Sequence, residues 1–556
     1  MTIDLKHTVE YSSIFDDPVK DLKFYLTGIS KSKILLAMST FINFSVRNSK
    51  FKNYNDFLDM YFQSSNQAFA REIKNRLTKF EKPNVEIIFA PILSCLQIFE
   101  FAFDQLSDKD TLSDPEIEIN LFKALLSQNE INTKHDDIAR KSCAHLSGSL
   151  FDAMFAMTQS YSYSEFVNYV PFEIFYCQLA KSIYLFKFLE STDLTKPLLK
   201  LFLSTFNCLD WKEYLNKYLP TALAVLKNNE ETNISISIPQ NASFFENCEF
   251  IDNLSLSDLS EITVYDFKTI RGRPIYKVSD GLYTIIFSLF VLELCHKGLF
   301  FKLSKIHEAL PIEKKVREKD EAFRGYYCDE FSEKVLVYEI LEGILGNGVK
   351  LIGSKTKSYL GGGGEPDYYY RNNNTLFLFE SKDILINAKV KITNDFIKYE
   401  EEFKKKLYFD IDKKGNIENK AVLQLINNIK RALKKQFSFD TKYFESKLSI
   451  YPILILHDHS FNVPGLNVLV NEWFSIELKK LSSSGLNILN VMPITIIDID
   501  TFILCYDLIK DKKINLRRFI NEYIESKSIV SFSNFILQQT ASIRTKPPSI
   551  LSTILR

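Results

Sequence analysis

The stretch from Tyr368 to Lys382 constrains this chain more than any other. Tyr368 to Tyr370 and Thr375 to Phe379 are runs rich in aromatic and apolar residues, and Asn372-Asn373-Asn374 stands between them. Asparagine tolerates positive φ, so the triplet is turn chemistry and the two runs read as a β-hairpin. In the second strand Leu376, Leu378, Glu380 and Lys382 share one face by two-residue alternation. An apolar strand that must be buried therefore ends in a carboxylate and an amine on the same side. Asp367, at the head of the adjoining strand, can bring a second carboxylate beside Glu380.

The surrounding pattern tells what kind of sheet would hold this hairpin. From Gly325 onward a helix (Asp329 to Leu345) precedes it. A charged helical insertion (Asn394 to Phe409), a helix (Lys420 to Lys435) and a strand (Leu448 to Leu456) follow, then a last helix and strand near Glu472 to Leu481 and Ile494 to Ile499. That is the order of an α/β domain with a central mixed sheet. The first 225 or so residues read instead as helices; Phe69, Ile73, Leu77 and Phe80, for example, fall on one helical face. After the polar stretch Lys227 to Asn233 the period changes: Ile234, Ile236 and Ile238 alternate as in a half-buried strand. Arg271-Gly272-Arg273-Pro274 is expected as the basic tip of a hairpin, and a helix is expected from about Tyr283 to Phe301. At 556 residues the chain is too long for one core. The expected division is a helical region 1–226, a mixed connector 227–311 and a C-terminal domain 312–556, an α+β multidomain protein.

Pro366-Asp367 followed by Glu380-Ser381-Lys382 resembles the PD-(D/E)xK superfamily, which includes many restriction endonucleases. The resemblance covers the C-terminal half only and implies a restriction-endonuclease-like α/β domain there. It implies that Asp367, Glu380 and the backbone carbonyl of Ser381 hold Mg²⁺, with Mn²⁺ as a substitute, in a hard oxygen site. Lys382 would orient or deprotonate the attacking water and offset charge at phosphorus. The tripeptide alone is common: Glu445-Ser446-Lys447 and Glu525-Ser526-Lys527 repeat it, and Glu402-Phe403-Lys404 lies in a charged helical run. Only Glu380-Ser381-Lys382 ends an apolar strand at hairpin distance from Pro366-Asp367.

Members of the superfamily often add an acidic residue from the helix ahead of this hairpin. Glu333 is the candidate, since it leads an apolar stripe of Leu336, Val337, Ile340, Leu341 and Ile344. Burying such a carboxylate is costly without a partner; a place at the stripe's edge, in water, is the other reading. Glu339 is the fallback. Gln424, on the helix after the motif, is the candidate polar neighbour of the site, or else a surface glutamine. Gly361 to Gly364 suit either a close approach to phosphate or a flexible turn. Two further patterns are set aside. Gly348 to Thr356 misses P-loop spacing by one residue and leads into four glycines. His457-Asp458-His459 reads as a strand-end turn rather than a zinc site.

Charge and cysteines bound the remaining choices. Net charge is zero overall, but residues from Phe331 onward carry 32 Lys+Arg against 25 Asp+Glu, a balance that suits a polyanion. The eight cysteines are scattered with no CxxC pair, as in a reducing compartment. The first residues carry no basic segment followed by an apolar run, and no segment is apolar enough to span a bilayer, so a cytoplasmic protein without a membrane partner is expected. The expected activity is Mg²⁺-dependent hydrolysis of phosphodiesters in nucleic acid, with DNA preferred. The expected setting is a bacterial anti-phage or restriction system in which the N-terminal part senses, oligomerises or gates. The alternative is a catalytically silent nuclease fold that binds nucleic acid or protein.

Overall fold

The computed structural model describes residues 5–47, 54–82, 85–106, 109–227, 234–257, 266–311, 314–316, 323–352, 365–412 and 414–555. The chain is an α+β protein with mixed sheets, and it divides into two compact units made of interleaved segments. Met1–Ile138, Phe166–Phe175 and Phe202–Lys302 form the first unit; Ala139–Glu165, Tyr176–Leu201 and Leu303–Arg556 form the second. These units do not follow the three contiguous segments expected from sequence. Two stretches of the early helical region belong with the C-terminal half, because periodicity reports which face of a helix is buried but not against what.

In the first unit, Ala70, Ile73 and Leu77 form the buried stripe of helix Gln67–Leu77. A short parallel pair joins Leu5–Thr8 to Val85–Ile88. Buried Asn129 donates to the carbonyls of Val9 at 2.9 Å and Phe89 at 2.8 Å, satisfying backbone groups just beyond both strands. A four-stranded sheet follows with Ser235–Ser237 at one edge, where alternation predicts a strand. The hairpin in this sheet, however, joins Ile275–Ser279 to Leu282–Ile285, and its turn contains Gly281 at φ +74°. The expected basic tip is instead the end of a short helix, Lys268–Gly272. Arg271 is drawn inward: it pairs with Asp266 and Glu293, and its guanidinium lies 4.4 Å from the centre of the Phe290 ring. The helix expected from Tyr283 begins at Ser288, because Leu282–Ile285 pairs in the sheet.

The second unit is built on one five-stranded sheet. Its strands are β1 (Val349–Ile352), β2 (Tyr368–Asn372), β3 (Thr375–Lys382), β4 (Ser449–Leu456) and β5 (Thr495–Asp498), adjacent in that order. β1, β2 and β3 form an antiparallel meander, while β4 and β5 continue parallel to β3. Before β1, Phe323–Tyr326, Tyr327–Val337 and Tyr338–Ile344 run on as one helix, α1; its middle is wound as a π-helix. α2 (Ala421–Leu433) and α3 (Leu466–Ser483) are the crossover helices.

Alternation along β3 sorts its side chains. Leu376 and Leu378 join Val422, Leu425 and Ile429 of α2 in one buried cluster. Phe377 and Phe379 point the other way, with Phe377 against Tyr451 and Phe379 against Tyr368 and Phe502. Fully burying each such side chain contributes about 1.5–3 kcal/mol, so the strand is fixed in register by both faces. β4 begins where its Ser449 amide donates to Asn374 at 2.8 Å, beside the asparagine turn. α2 therefore returns the chain from the Lys382 end of the sheet to the turn end, and its first residues lie at the Lys382 end. None of the eight cysteines is in a disulfide, and all but Cys328 are buried. Among the described residues no helix is long and apolar enough to cross a membrane.

Candidate active site

The β2–β3 register ends with Tyr368 opposite Phe379, which leaves Asp367, the residue before β2, beside the end of β3 that carries Glu380. The Ser381 amide donates to Asp367 Oδ2 at 2.7 Å, which fixes the aspartate against the strand. Lys382 Nζ lies 2.6 Å from Glu380 Oε1. Asp367, Glu380 and Lys382 thus meet at one end of the sheet as the hairpin predicts. Glu380 is fully buried, and its Oε2 has no hydrogen-bond partner among the described residues. A buried acceptor left open in this way is unfavourable by about 1–3 kcal/mol and calls for an explanation.

The electrostatics point the same way. Burial, and then the neighbouring Asp367 charge, push the Glu380 carboxyl up to about 8, against the pull of Lys382. Glu333 comes from the wide-wound part of α1. Burial and Asp367 raise it to about 7, although the Tyr338 hydroxyl donates to it at 3.0 Å. Asp367 is also raised, by burial, with Lys382 and the Ser381 amide opposing. Burial alone would lower Lys382; Glu380 and Asp367 outweigh it and hold the ammonium charged. Three carboxylates around a single ammonium are short of positive charge, so Glu333 and Glu380 retain protons well above the usual carboxylate range and Asp367 is shifted in the same direction. Glu333, Asp367 and Glu380 do not bring ligand atoms within 4.8 Å of one another as a set of three, and it is Lys382 that closes on Glu380. The donor chemistry, the excess negative charge and the open Glu380 Oε2 fit a hard divalent cation.

Ser381, on the opposite face of β3, leads to residues that the sequence reading missed. Its hydroxyl lies 2.8 Å from Nε2 of His457, the residue that follows β4. His457 is buried, and burial pushes its imidazole down to about 4, so it is neutral at pH 7. It belongs to the strand-end turn expected of His457-Asp458-His459, but with a specific partner inside the motif. Asp383, directly after Lys382, is gripped by the first turns of α1. Arg324 donates to its carboxylate and, at 2.7 Å, to its carbonyl, while the Ser332 hydroxyl donates to Oδ2 at 2.6 Å. Burial works against the Asp383 anion, but Arg324 outweighs it and the carboxyl is lowered. Asp383 thereby ties the end of β3 to the helix that carries Glu333, one residue after Ser332. No local pattern announces this, since Arg324 lies 59 residues upstream.

The remaining candidates divide. Gln424 is in the first turn of α2, at the Lys382 end, with its Oε1 buried and lacking a hydrogen bond; among the described residues no hydrogen bond joins it to Asp367 or Glu380. Glu339 is exposed, and its charge acts on Tyr184 and Tyr506, so Glu333 and not Glu339 faces the site. Glu342 accepts from Tyr368 at 2.6 Å. Gly361 to Gly364, and Gly353 to Thr356 of the P-loop-like segment, lie outside the described residues. Glu445–Lys447 is an exposed single turn, and Glu525-Ser526-Lys527 ends helix Leu516–Ser526, so neither competes with Glu380-Ser381-Lys382. Comparison with protein-family models, with curated proteins and with solved structures gave no match to this chain.

Proposed function

We propose that the second unit is a metal-dependent nuclease of the PD-(D/E)xK type, hydrolysing phosphodiester bonds. The observation that carries the reading is the convergence of Asp367, Glu380 and Lys382 at one strand end, with one buried Glu380 oxygen that has no hydrogen-bond partner among the described residues. The helix, antiparallel meander, crossover helix and parallel strand around the motif support it, because they put both carboxylates on one side of a rigid sheet.

Asp367, Glu380 and the Ser381 carbonyl would hold Mg²⁺ or Mn²⁺. Such an ion supplies Lewis acidity toward phosphate and a bound water of lowered pKa. The chain's own groups do the rest. Lys382, kept charged by its carboxylate neighbours, donates to the water or to a phosphate oxygen and offsets the charge that develops at phosphorus. Glu333, raised to about 7, is poised to exchange a proton with solvent near neutral pH. Asp383, through Arg324 and Ser332, keeps Glu333 facing the strand end.

The test is a cleavage assay of the purified full chain on plasmid, single-stranded DNA and RNA, with Mg²⁺, with Mn²⁺ and with chelator. Cation-dependent cutting that disappears in Asp367→Asn and Lys382→Ala is expected, with excess Mn²⁺ partly restoring only Asp367→Asn. Cutting that survives both substitutions would overturn the site. Nucleic-acid binding without cleavage in every cation would favour the silent-fold alternative.

A further inference from the structure

Between β3 and α2 the chain builds a small element that the sheet does not need. Phe409–Ile411 and Ile417–Asn419 pair as an isolated antiparallel ribbon, with Ile411 opposite Ile417. Both isoleucines are open to solvent, at 61% and 67% exposure, and by alternation they share a face while Asp410 and Glu418 take the other. Exposed apolar residues paired at a ribbon tip are available to a partner.

The base of the ribbon is firmly anchored. Tyr408 stacks on Trp473 of α3 with ring centres 5.6 Å apart and donates to Glu477 at 2.5 Å; its carbonyl accepts from the Lys420 amide at 3.1 Å. Residue 420 leads directly into α2, whose first turn lies at the Lys382 end of the sheet. The base of the ribbon is therefore nearest the end of the sheet that carries Asp367, Glu380 and Lys382.

Lysines flank the ribbon, although Glu400, Glu401 and Glu402 stand just before them and Lys404 pairs with Glu400 at 2.8 Å. Residues 404–420 hold six lysines and three acidic residues. The acidic groups are engaged locally. Asp412 accepts from the Lys414 and Asn416 amides and the Asn416 side chain, Glu418 pairs with Lys420, and Asp410 accepts from the Ile411 amide. Lys405, Lys406 and Lys414 make no ion pair among the described residues, and Lys405 and Lys414 are exposed. Two-stranded ribbons fit the major groove of B-form DNA, which is wide enough to admit them, whereas the A-form major groove is too deep and narrow.

Resting on the nuclease reading, we propose that ribbon 409–419 is the duplex-DNA docking element, set into the major groove with Lys405, Lys406 and Lys414 on the phosphates and Ile411 and Ile417 toward the bases. The test is fluorescence anisotropy of the full chain on a labelled DNA duplex in Ca²⁺, across a salt series. Single-stranded DNA and an RNA duplex of the same sequence serve as controls, and circular dichroism checks folding. Lys405→Ala/Lys406→Ala/Lys414→Ala should weaken duplex binding at least tenfold and lower the salt slope by about three, since each neutralised phosphate contributes about 0.9. Ile411→Ser/Ile417→Ser should weaken binding several-fold with the slope unchanged. Unchanged affinity and slope in both variants, or equal losses on the RNA duplex, would overturn the ribbon's role; if the wild type still cuts DNA, the nuclease reading stands. A wild type that docks DNA through the ribbon but never cuts would leave the ribbon standing and remove the nuclease. A wild type that binds no duplex DNA would refute the ribbon's role directly.

Discussion

The β2–β3 hairpin carries a buried ion pair at each end, and the two are built on opposite plans. At the turn end, Arg371 donates through Nε and Nη2 to both oxygens of Asp440, at 2.5 and 2.6 Å, and through Nη1 to the Asn373 carbonyl at 2.6 Å. Tyr369 adds a third bond to Asp440 at 2.8 Å. Both carboxylate oxygens are satisfied and the guanidinium is held as a fork, the strongest form of charged hydrogen bonding. At the other end, Lys382 reaches one oxygen of Glu380; the second oxygen has no hydrogen-bond partner among the described residues, and two more carboxylates crowd the same ammonium. A pair that serves the fold is closed. The Lys382–Glu380 pair is left open at the cost of local stability, the arrangement that the proposed metal site would call for.

Four measurements break or sharpen this contrast, taken from the largest expected effect. Lys382→Ala should lower cleavage by about 10²–10³-fold, as for loss of a group acting on transition-state charge, with a smaller loss of stability than Asp440→Ala because Glu380, already raised to about 8, can take up a proton when its partner is removed. Arg371→Ala should spare the chemistry of whatever protein remains folded. Equal cleavage losses from both would erase the distinction.

Next, Asp440→Ala strands the buried Arg371 charge and should destabilise the second unit by about 3–5 kcal/mol in urea unfolding, whereas replacing both partners with Leu and Met should be neutral or stabilising by about 1–4 kcal/mol. A double replacement as harmful as the single would mean that the pair is not a self-contained clamp.

Glu380→Gln should do the opposite of Asp440→Ala. By removing a buried carboxylate with an open oxygen it should raise stability by about 1 kcal/mol while abolishing cleavage. A large loss of stability would show that Glu380 is a structural acid.

The smallest effect is in pH and cation dependence. The folded Glu380 carboxyl keeps its proton up to about 8, while unfolded it ionises near about 4.3. Its contribution to stability is therefore fully present below the unfolded value and is lost as pH rises through the folded one. The thermal midpoint without added cation should decline between pH 5 and 8. Mg²⁺ should restore more of it at pH 8 than at pH 6, because binding requires the ionised carboxylate. A midpoint with the same slope in Glu380→Gln would detach the effect from this residue.

Much of this was legible in residue order. The asparagine turn, the alternation of Leu376, Leu378, Glu380 and Lys382, and the placement of Asp367 are local, so the pairing of two adjacent strands follows from them. The helical character of residues 67–77 and the burial of most cysteines are equally local consequences of side-chain chemistry. What the tertiary structure decided are the partners that lie far apart in sequence. Asp383 meets Arg324, Ser381 meets His457, and Arg371 meets Asp440 only because crossovers and a returning helix bring separate strand ends together. The same limit explains the two units of interleaved segments and the inward turn of Arg271, expected at a hairpin tip. A single strand's periodicity determines which of its residues are buried, whereas the partner that each buried charge requires is set by the path of the whole chain.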